Sequence, residues 1–348
     1  MNRFERAGIG LLGCGVVGGG VVEALDRNQD KIYERAGRRA AIERIAVRDV
    51  TKPRSVRLAP ELLCDDWRSV VAHPGTDVVV EAMGGVEPAR VALLTALAAG
   101  KPVVTANKQL LALHGPELLA TARANGATLH YEASVLAGIP AIHTLQTYFQ
   151  ANRVRRLRGI VNGTSNFILT RMDTGASFSA ALAEAQALGY AEADPSQDVD
   201  GDDALYKLQI LIWTLCGATL PETAIVKRGI RGLTERDVQR AAAQGKRWKL
   251  VAEAVFDAAG TPVSAAVEPL AVPPEDPLFH VGGVTNALTV EGDLVGEVTL
   301  MGPGAGALAT ASAIVEDLVK CLRTTALPAH SRGESVCDHP LGTTTVSV

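Results

Sequence analysis

The sequence predicts an α/β fold: a doubly wound parallel sheet joined to a second, mixed α+β part. Three observations predict it. Over the first 130 residues, short β-branched runs alternate with stretches rich in alanine and leucine, the pattern of parallel strands linked by crossover helices. A G-x-G-x-x-G turn, Gly13 to Gly18, directly follows the first apolar run. From about Pro140 the alternation gives way to longer helical stretches and a basic, β-branched run.

Taken in order, Ala7–Leu12 reads as a buried strand and Val17–Asn28, behind the glycines, as a helix. Ile42–Val47, Asp77–Ala82, Pro102–Thr105 and Thr128–Tyr131 read as further strands, with a helix over Ala89–Ala99. Gly100-Lys101-Pro102 stops that helix and starts the next strand, because glycine accepts the left-handed helix end and proline cannot continue it. A Rossmann-like sheet is the natural packing of such units. Beyond Pro140, Ala141–Gln150, Phe178–Leu188 and Ala204–Leu215 read as helices, and Val154–Val161 and Leu294–Leu300 as strands. The glycine-rich Gly302–Gly306 then opens a helix to about Leu322. We expect a nucleotide-binding domain over 1–139, completed by the helix at about 303–322, a second domain over 140–302, and a polar tail over 323–348.

Composition limits the function classes. The 348 residues suggest about two domains, and 47% apolar with 21% charged residues excludes disorder. A net charge of −4 offers no basic surface for a phosphate backbone, so nucleic acid is not expected as a partner and a small molecule is. Ala7–Val22 is uncharged but too short to span a bilayer and lacks a small-residue cleavage site, so we expect a cytoplasmic protein without membrane association. The cysteines (Cys14, Cys64, Cys216, Cys321, Cys337) are odd in number and widely spaced, which argues against a disulfide framework or zinc site. Cys337, on the polar tail, is expected to be a free thiol, with an intermolecular disulfide as the alternative.

The glycine turn, between strand and helix, fits a dinucleotide: a tight turn, close backbone approach to a pyrophosphate, and helix amides aimed at its charge. Arg48-Asp49, with Lys52 and Arg54 behind, ends the second strand, where such folds read the adenosine ribose. The acid favours a free 2′-hydroxyl and the bases a 2′-phosphate; we lean to NADP over NAD. Asn107 and Lys108 follow the Pro102–Thr105 strand and so face the ligand crevice. The densest polar cluster, Glu192 to Lys207, is not a calcium loop, since glycine falls at position four and Gln209 at position twelve of a loop from Asp198. On the helix that follows, Asp203 and Lys207 share a face. The spacing leaves two readings open: a surface ion pair, or a lysine bordering a buried site and suited to proton transfer. G-x-S-x-G, H-E-x-x-H, Walker A and Tyr-x-x-x-Lys patterns are all absent.

In this order the motifs resemble the homoserine dehydrogenase family. The resemblance is carried by Gly13–Gly18, Val47-Arg48-Asp49, Val104–Lys108, Glu132–Val135 through Gly138-Ile139-Pro140, the Asn162-Gly163-Thr164-Ser165-Asn166 block, Gly189–Pro195 with Asp198–Lys207, and Gly302–Gly306. It implies reduction of L-aspartate 4-semialdehyde to L-homoserine with a nicotinamide cofactor, a step towards threonine and methionine. It implies that Lys108 and Lys207 flank the reacting carbon, with Lys207 as proton donor, and that Glu192, Asp203 and Lys108 hold the substrate. Gly13, Gly15, Val16, Val17, Gly18, Arg48, Lys52, Gly84, Thr105, Lys108 and Gly302 match cofactor positions.

The resemblance further implies a structural sodium or potassium ion at Glu132, Val135, Ala137 and Ile139, bound mainly by backbone carbonyls, and a homodimer formed through the second domain. Two departures stand out. Val16 replaces a threonine frequent in the family, removing a hydroxyl from the phosphate turn. Too little sequence follows the last helix for an amino-acid-sensing domain, so weak or absent threonine inhibition is expected. The readings left beside this one are another oxidoreductase of the same fold acting on a small amino or hydroxy acid, and a cofactor sensor without turnover.

Overall fold

The structure, a computed structural model, describes residues 6–217 and 219–326. Cys337 and the rest of the expected tail from 327 onward lie outside the described residues.

The first part runs β1 (Arg6–Leu12), α1 (Val16–Arg27), α2 (Gln29–Ala36), β2 (Arg39–Ala46), β3 (Leu63–Cys64), α3 (Trp67–Val71), β4 (Val78–Glu81), α4 (Ala89–Ala98), β5 (Val103–Thr105), α5 (Lys108–Ala124) and β6 (Leu129–His130). The six strands form one sheet in the order β3-β2-β1-β4-β5-β6, every pairing parallel. This is the doubly wound order, in which successive strands are added outward in opposite directions from β1 and β4, opening a crevice at the carboxyl ends of those two strands. With helices on both faces, every β1 residue after Arg6 is buried, which accounts for its unbroken apolar run.

The second part runs α6 (Ala141–Thr147), β7 (Val154–Ile160), α7 (Gly163–Asp173), α8 (Phe178–Ala187), α9 (Ser196–Val199), α10 (Asp202–Cys216), β8 (Val226–Lys227), α11 (Glu235–Ala243), β9 (Arg247–Phe256), β10 (Pro262–Val272), β11 (Thr285–Gly292), β12 (Gly296–Pro303) and α12 (Ala307–Ala326). Its sheet has the order β12-β11-β7-β9-β10-β8, antiparallel except for β10 with β8. α12 returns to the first sheet and buries Ala311, Ile314, Leu318 and Leu322 in the cluster containing Ile9, Leu11, Val21 and Leu25. Each large side chain there contributes about 1.5–3 kcal/mol relative to exposure.

Two boundaries differ from expectation. Leu294 and Val295 occupy the turn between β11 and β12, and the strand extends through Gly302 and Pro303, which pair with Asn286 and Thr285. Ladder register, not glycine content, decides this segment, so the last helix starts at Ala307. It continues to Ala326, so residues 323–326, expected in the tail, are helical.

α5 and α10 position the site. A Cβ on Gly115 would stand 2.8 Å from the Trp213 ring, so glycine lets the two helices close on one another. Their first turns then meet at Lys108 and Asp203. Among the described residues no helix is long and apolar enough to cross a membrane.

Candidate active site

At the crevice, Gly13 has a left-handed φ of 94°, and a Cβ on Gly18 would lie 2.2 Å from the Gly13 carbonyl oxygen. The turn therefore has room only for glycines at both positions. A Cβ on Gly15 would meet nothing within 4 Å, so that backbone faces open space. α1 has no side-chain cap and no acid in its first turn, leaving its leading amides for an anion. Val16 is its first residue and is 75% exposed, with Val17 half-buried behind it. Gly84 and Gly85, both left-handed, follow β4 on the other side of the crevice.

Arg48 and Lys52 are exposed on the loop after β2. Asp49 is exposed on the same loop. Its carboxylate accepts from the Thr51 hydroxyl (2.7 Å) and amide (2.8 Å), which hold it below the usual carboxylate range. The sequence sets Asp49 against Arg48, Lys52 and Arg54 for the ribose, and the fold ties Arg54 back onto the loop itself. Its guanidinium donates to the Asp49 and Lys52 carbonyls (2.7 and 3.1 Å) and opposes the effect of burial, which raises the Cys14 thiol inside the glycine turn.

The polar centre gathers residues from four helices. Asp203, in the first turn of α10, is buried. Its two carboxylate oxygens accept from Lys108 Nζ at 2.6 Å and Lys207 Nζ at 2.7 Å. Lys207 also donates to the Val161 carbonyl at 2.7 Å. Asn162, whose side-chain oxygen caps α7 by accepting from Ser165 N–H (2.8 Å), donates its amide to Asp203 at 2.9 Å and to Asp198 at 2.7 Å. Burial alone would raise the Asp203 carboxyl, yet the two ammonium groups hold it well below the usual range. The same pairing raises Lys108. Asp198 moves the other way, raised chiefly by burial. Glu192 is exposed but lies near enough to Lys108 to favour its charged form.

Lys108, Asp203 and Lys207, singled out from the sequence, are thus in one cluster with Glu192 at its edge. Asn162 and Asp198 were missed as site members. The signal available was an asparagine placed to cap a helix, and an acid five residues before Asp203. Chemically, the cluster presents ammonium groups for proton transfer and carboxylates for a cationic ligand. Of the other expected cofactor positions, Thr105 is buried at the end of β5, and Gly302 lies on β12 against Ile139.

The Glu132–Ile139 segment is a buried turn, in which Leu136 is the one non-glycine residue among those described with positive φ (56°). Both Glu132 carboxylate oxygens accept helix amides, from Ile142 at 2.9 Å and His143 at 2.7 Å, while its own amide donates to Asp317 (2.8 Å). Burial pushes its carboxyl up to about 7. The Ile139 carbonyl accepts from Ala141 N–H at 2.7 Å; among the described residues no backbone amide donates to the carbonyls of Val135 or Ala137. An oxygen-lined turn of this kind suits a hard monovalent cation.

Comparison with known proteins identifies the family. The family profile described as "Homoserine dehydrogenase" matches residues 140–319, and that described as "Homoserine dehydrogenase, NAD binding domain" matches residues 13–132. The homoserine dehydrogenase of Bacillus subtilis is 41% identical over 316 residues, covering 90% of this chain and 72% of that protein. That of Pseudomonas aeruginosa is 41% identical over 341 residues, covering 96% and 78%. Among solved structures, a homoserine dehydrogenase from Thiobacillus denitrificans superposes with a TM-score of 0.88 at 44% identity, over 94% of this chain and 75% of that one. A hyperthermophilic archaeal homoserine dehydrogenase in complex with NADPH superposes with a TM-score of 0.78 at 30% identity, over 93% and 99%.

Proposed function

The chain belongs to the homoserine dehydrogenase family of NAD(P)-dependent oxidoreductases, and we propose that it interconverts L-aspartate 4-semialdehyde and L-homoserine, in the reducing direction, on the way to threonine and methionine. The observation that carries this reading is the Lys108–Asp203–Lys207 cluster, in which one buried carboxylate orders two ammonium groups. The balance is aldehyde, reduced nicotinamide and one proton giving alcohol and oxidised nicotinamide.

The bound nicotinamide supplies hydride to the aldehyde carbon, or takes it from the alcohol. Lys207 holds the proton that the carbonyl oxygen needs, and its second bond to the Val161 carbonyl fixes the direction of its Nζ. Lys108, more exposed, orients the reacting end of the substrate. Glu192 and Asp203 receive the substrate ammonium. Asp203 stays ionised because both lysines and Asn162 meet it, so it anchors charge without competing for the transferred proton.

The cofactor fits the glycine turn of Gly13, Gly15, Val16, Val17 and Gly18, where the Gly13 amide is held by the Ala46 carbonyl (2.9 Å) and the leading amides of α1 have no cap, with Gly84, Lys108 and Gly302 as further contacts and Thr105 buried behind them. NADP is favoured over NAD because Arg48 and Lys52 are free on the surface, whereas Asp49 is engaged by Thr51. Sodium or potassium would be held by Glu132 and the carbonyls of Val135, Ala137 and Ile139, tying the end of the first sheet to α6. Residues 1–139 with about 303–322 form the cofactor domain, and 140–302 the domain for substrate, catalysis and homodimer contact. A cytoplasmic location is part of this proposal.

The test is purified protein with L-homoserine and NADP or NAD at alkaline pH, with sodium or potassium present, followed by reduced-nicotinamide absorbance. Turnover, faster with NADP, is expected. Silence in folded protein that binds NADPH would overturn the reading in favour of a sensor or another small acid.

A further inference from the structure

Glu81 closes β4 after the apolar run Val78–Val80, at a position where the fold calls for another buried apolar residue. It pairs across the sheet with Leu12, the last residue before the glycine turn, and with Thr105. It therefore stands where β1 and β4 part, beneath the crevice. Its side chain is fully buried, and among the described residues no lysine, arginine or histidine forms an ion pair with it. Burying a lone carboxylate costs several kcal/mol unless donors replace the lost water.

Four donors do so. Oε1 accepts from the amides of Met83 (2.8 Å) and Gly84 (3.2 Å) and, more weakly, from Asn107 Nδ2 (3.4 Å), while Oε2 accepts from the Thr105 hydroxyl (2.6 Å). The Thr105 oxygen in turn accepts from Asn107 N–H (3.0 Å), and Asn107 Nδ2 donates to the Gly85 carbonyl (2.6 Å). Asn107 Oδ1 caps α5 by accepting from Leu110 N–H (3.1 Å). One carboxylate thus binds the Met83–Gly85 turn, left-handed at Gly84 and Gly85, on one side and the start of α5 on the other, and the first residue of α5 is Lys108.

We propose that Glu81 is a positioning residue for the reaction, setting the Gly84 turn against the cofactor and, through Thr105 and Asn107, the N-terminus of α5 from which Lys108 reaches Asp203. The proposal rests on the roles given above to Gly84 and Lys108. A buried acid in a merely structural role would affect folding and leave the ligand constants alone. A positioning role couples two ligands that no side-chain atom of Glu81 touches.

The test is Glu81→Gln beside Asn107→Ala, each checked for folding by circular dichroism and assayed well below its Tm. Glutamine keeps the volume and one oxygen for the turn amides, but sets an NH2 opposite Thr105, whose own proton then lacks an acceptor. Glu81→Gln should weaken NADPH binding, measured by fluorescence titration, and raise the KM for L-homoserine, each by at least about fivefold. Asn107→Ala should raise the homoserine KM with a smaller effect on the NADPH Kd, because the Met83 and Gly84 amides keep their acceptor. Folded Glu81→Gln with both constants within twofold of the unaltered enzyme overturns the proposal. If that variant does not fold, Asn107→Ala with unchanged homoserine kinetics does the same. Lack of homoserine turnover by the unaltered enzyme would instead count against the functional reading, and the NADPH titration would still decide for or against Glu81.

Discussion

Replacing Asp203 with asparagine removes one charge and almost no volume, which isolates the electrostatic part of the site. Asp203 is met by Lys108 at 2.6 Å, Lys207 at 2.7 Å and Asn162 at 2.9 Å. The two lysines are not equivalent. The Lys108 side chain is 38% exposed and can turn towards water, so its loss is discounted; Lys207 is 11% exposed and keeps only the Val161 carbonyl. Leaving one buried ammonium without its anion costs about 3–5 kcal/mol, which at about 2–4 °C per kcal/mol lowers Tm by roughly 6–20 °C. Misplacing the proton donor should also cost about 10²–10⁴ in kcat/KM for homoserine. The informative comparison is the double variant Asp203→Asn with Lys207→Met. Removing both buried charges should recover much of the Tm, since an apolar pair often replaces a buried ion pair at little cost, and should recover none of the activity. Thermal unfolding by circular dichroism at neutral pH, with NADPH binding as a folding control, reads the first part, and initial rates read the second. An Asp203→Asn enzyme within about 2 °C of the unaltered Tm and within tenfold in rate would refute the reasoning.

Two further outcomes are expected. Arg48→Ala should raise the KM for NADPH by about tenfold or more and leave that for NADH nearly unchanged, as expected for a guanidinium on a 2′-phosphate; an equal change for both cofactors would remove the basis for NADP preference. Burial raises the Glu132 carboxyl to about 7, so its contribution to stability is full below the unfolded value near 4.5 and is lost as pH rises through 7. Between pH 4.5 and 8 the unaltered chain should therefore lose about 3 kcal/mol more unfolding free energy than Glu132→Gln, and sodium or potassium, but not choline, should restore part of it at pH 8. Parallel pH curves for the two proteins would contradict this.

Much of the first sheet was legible because a strand buried on both faces and a glycine turn leave local marks. Val78–Val80 is continuous and apolar, and Gly13–Gly18 keeps its spacing whatever surrounds it. The sequence spacing of Asp203 and Lys207 left surface pair and site residue undecided, because exposure is set by what packs on the helix. In the fold, Asn162 and Lys108, distant in sequence, close over Asp203 from two other helices. Glu81 was silent for the same reason: its partners are Met83, Gly84, Thr105 and Asn107, and nothing in Val78–Glu81 alone announces them. The end of β12 was misread because glycines suggest a turn, whereas pairing with Asn286 and Thr285 keeps them extended.

The placement of α12 bears on how the chain is made. The first sheet has all its strands once His130 has been synthesised, yet the helix covering Ile9, Leu11 and Val21 begins only at Ala307. At about 5–20 residues per second, a ribosome needs roughly 10–35 s to reach it. Throughout that interval the nascent cofactor-binding half carries an uncovered apolar face, so its maturation waits on the entire second half. Cells making this enzyme thus have a defined window in which chaperones and proteases compete for the unfinished chain.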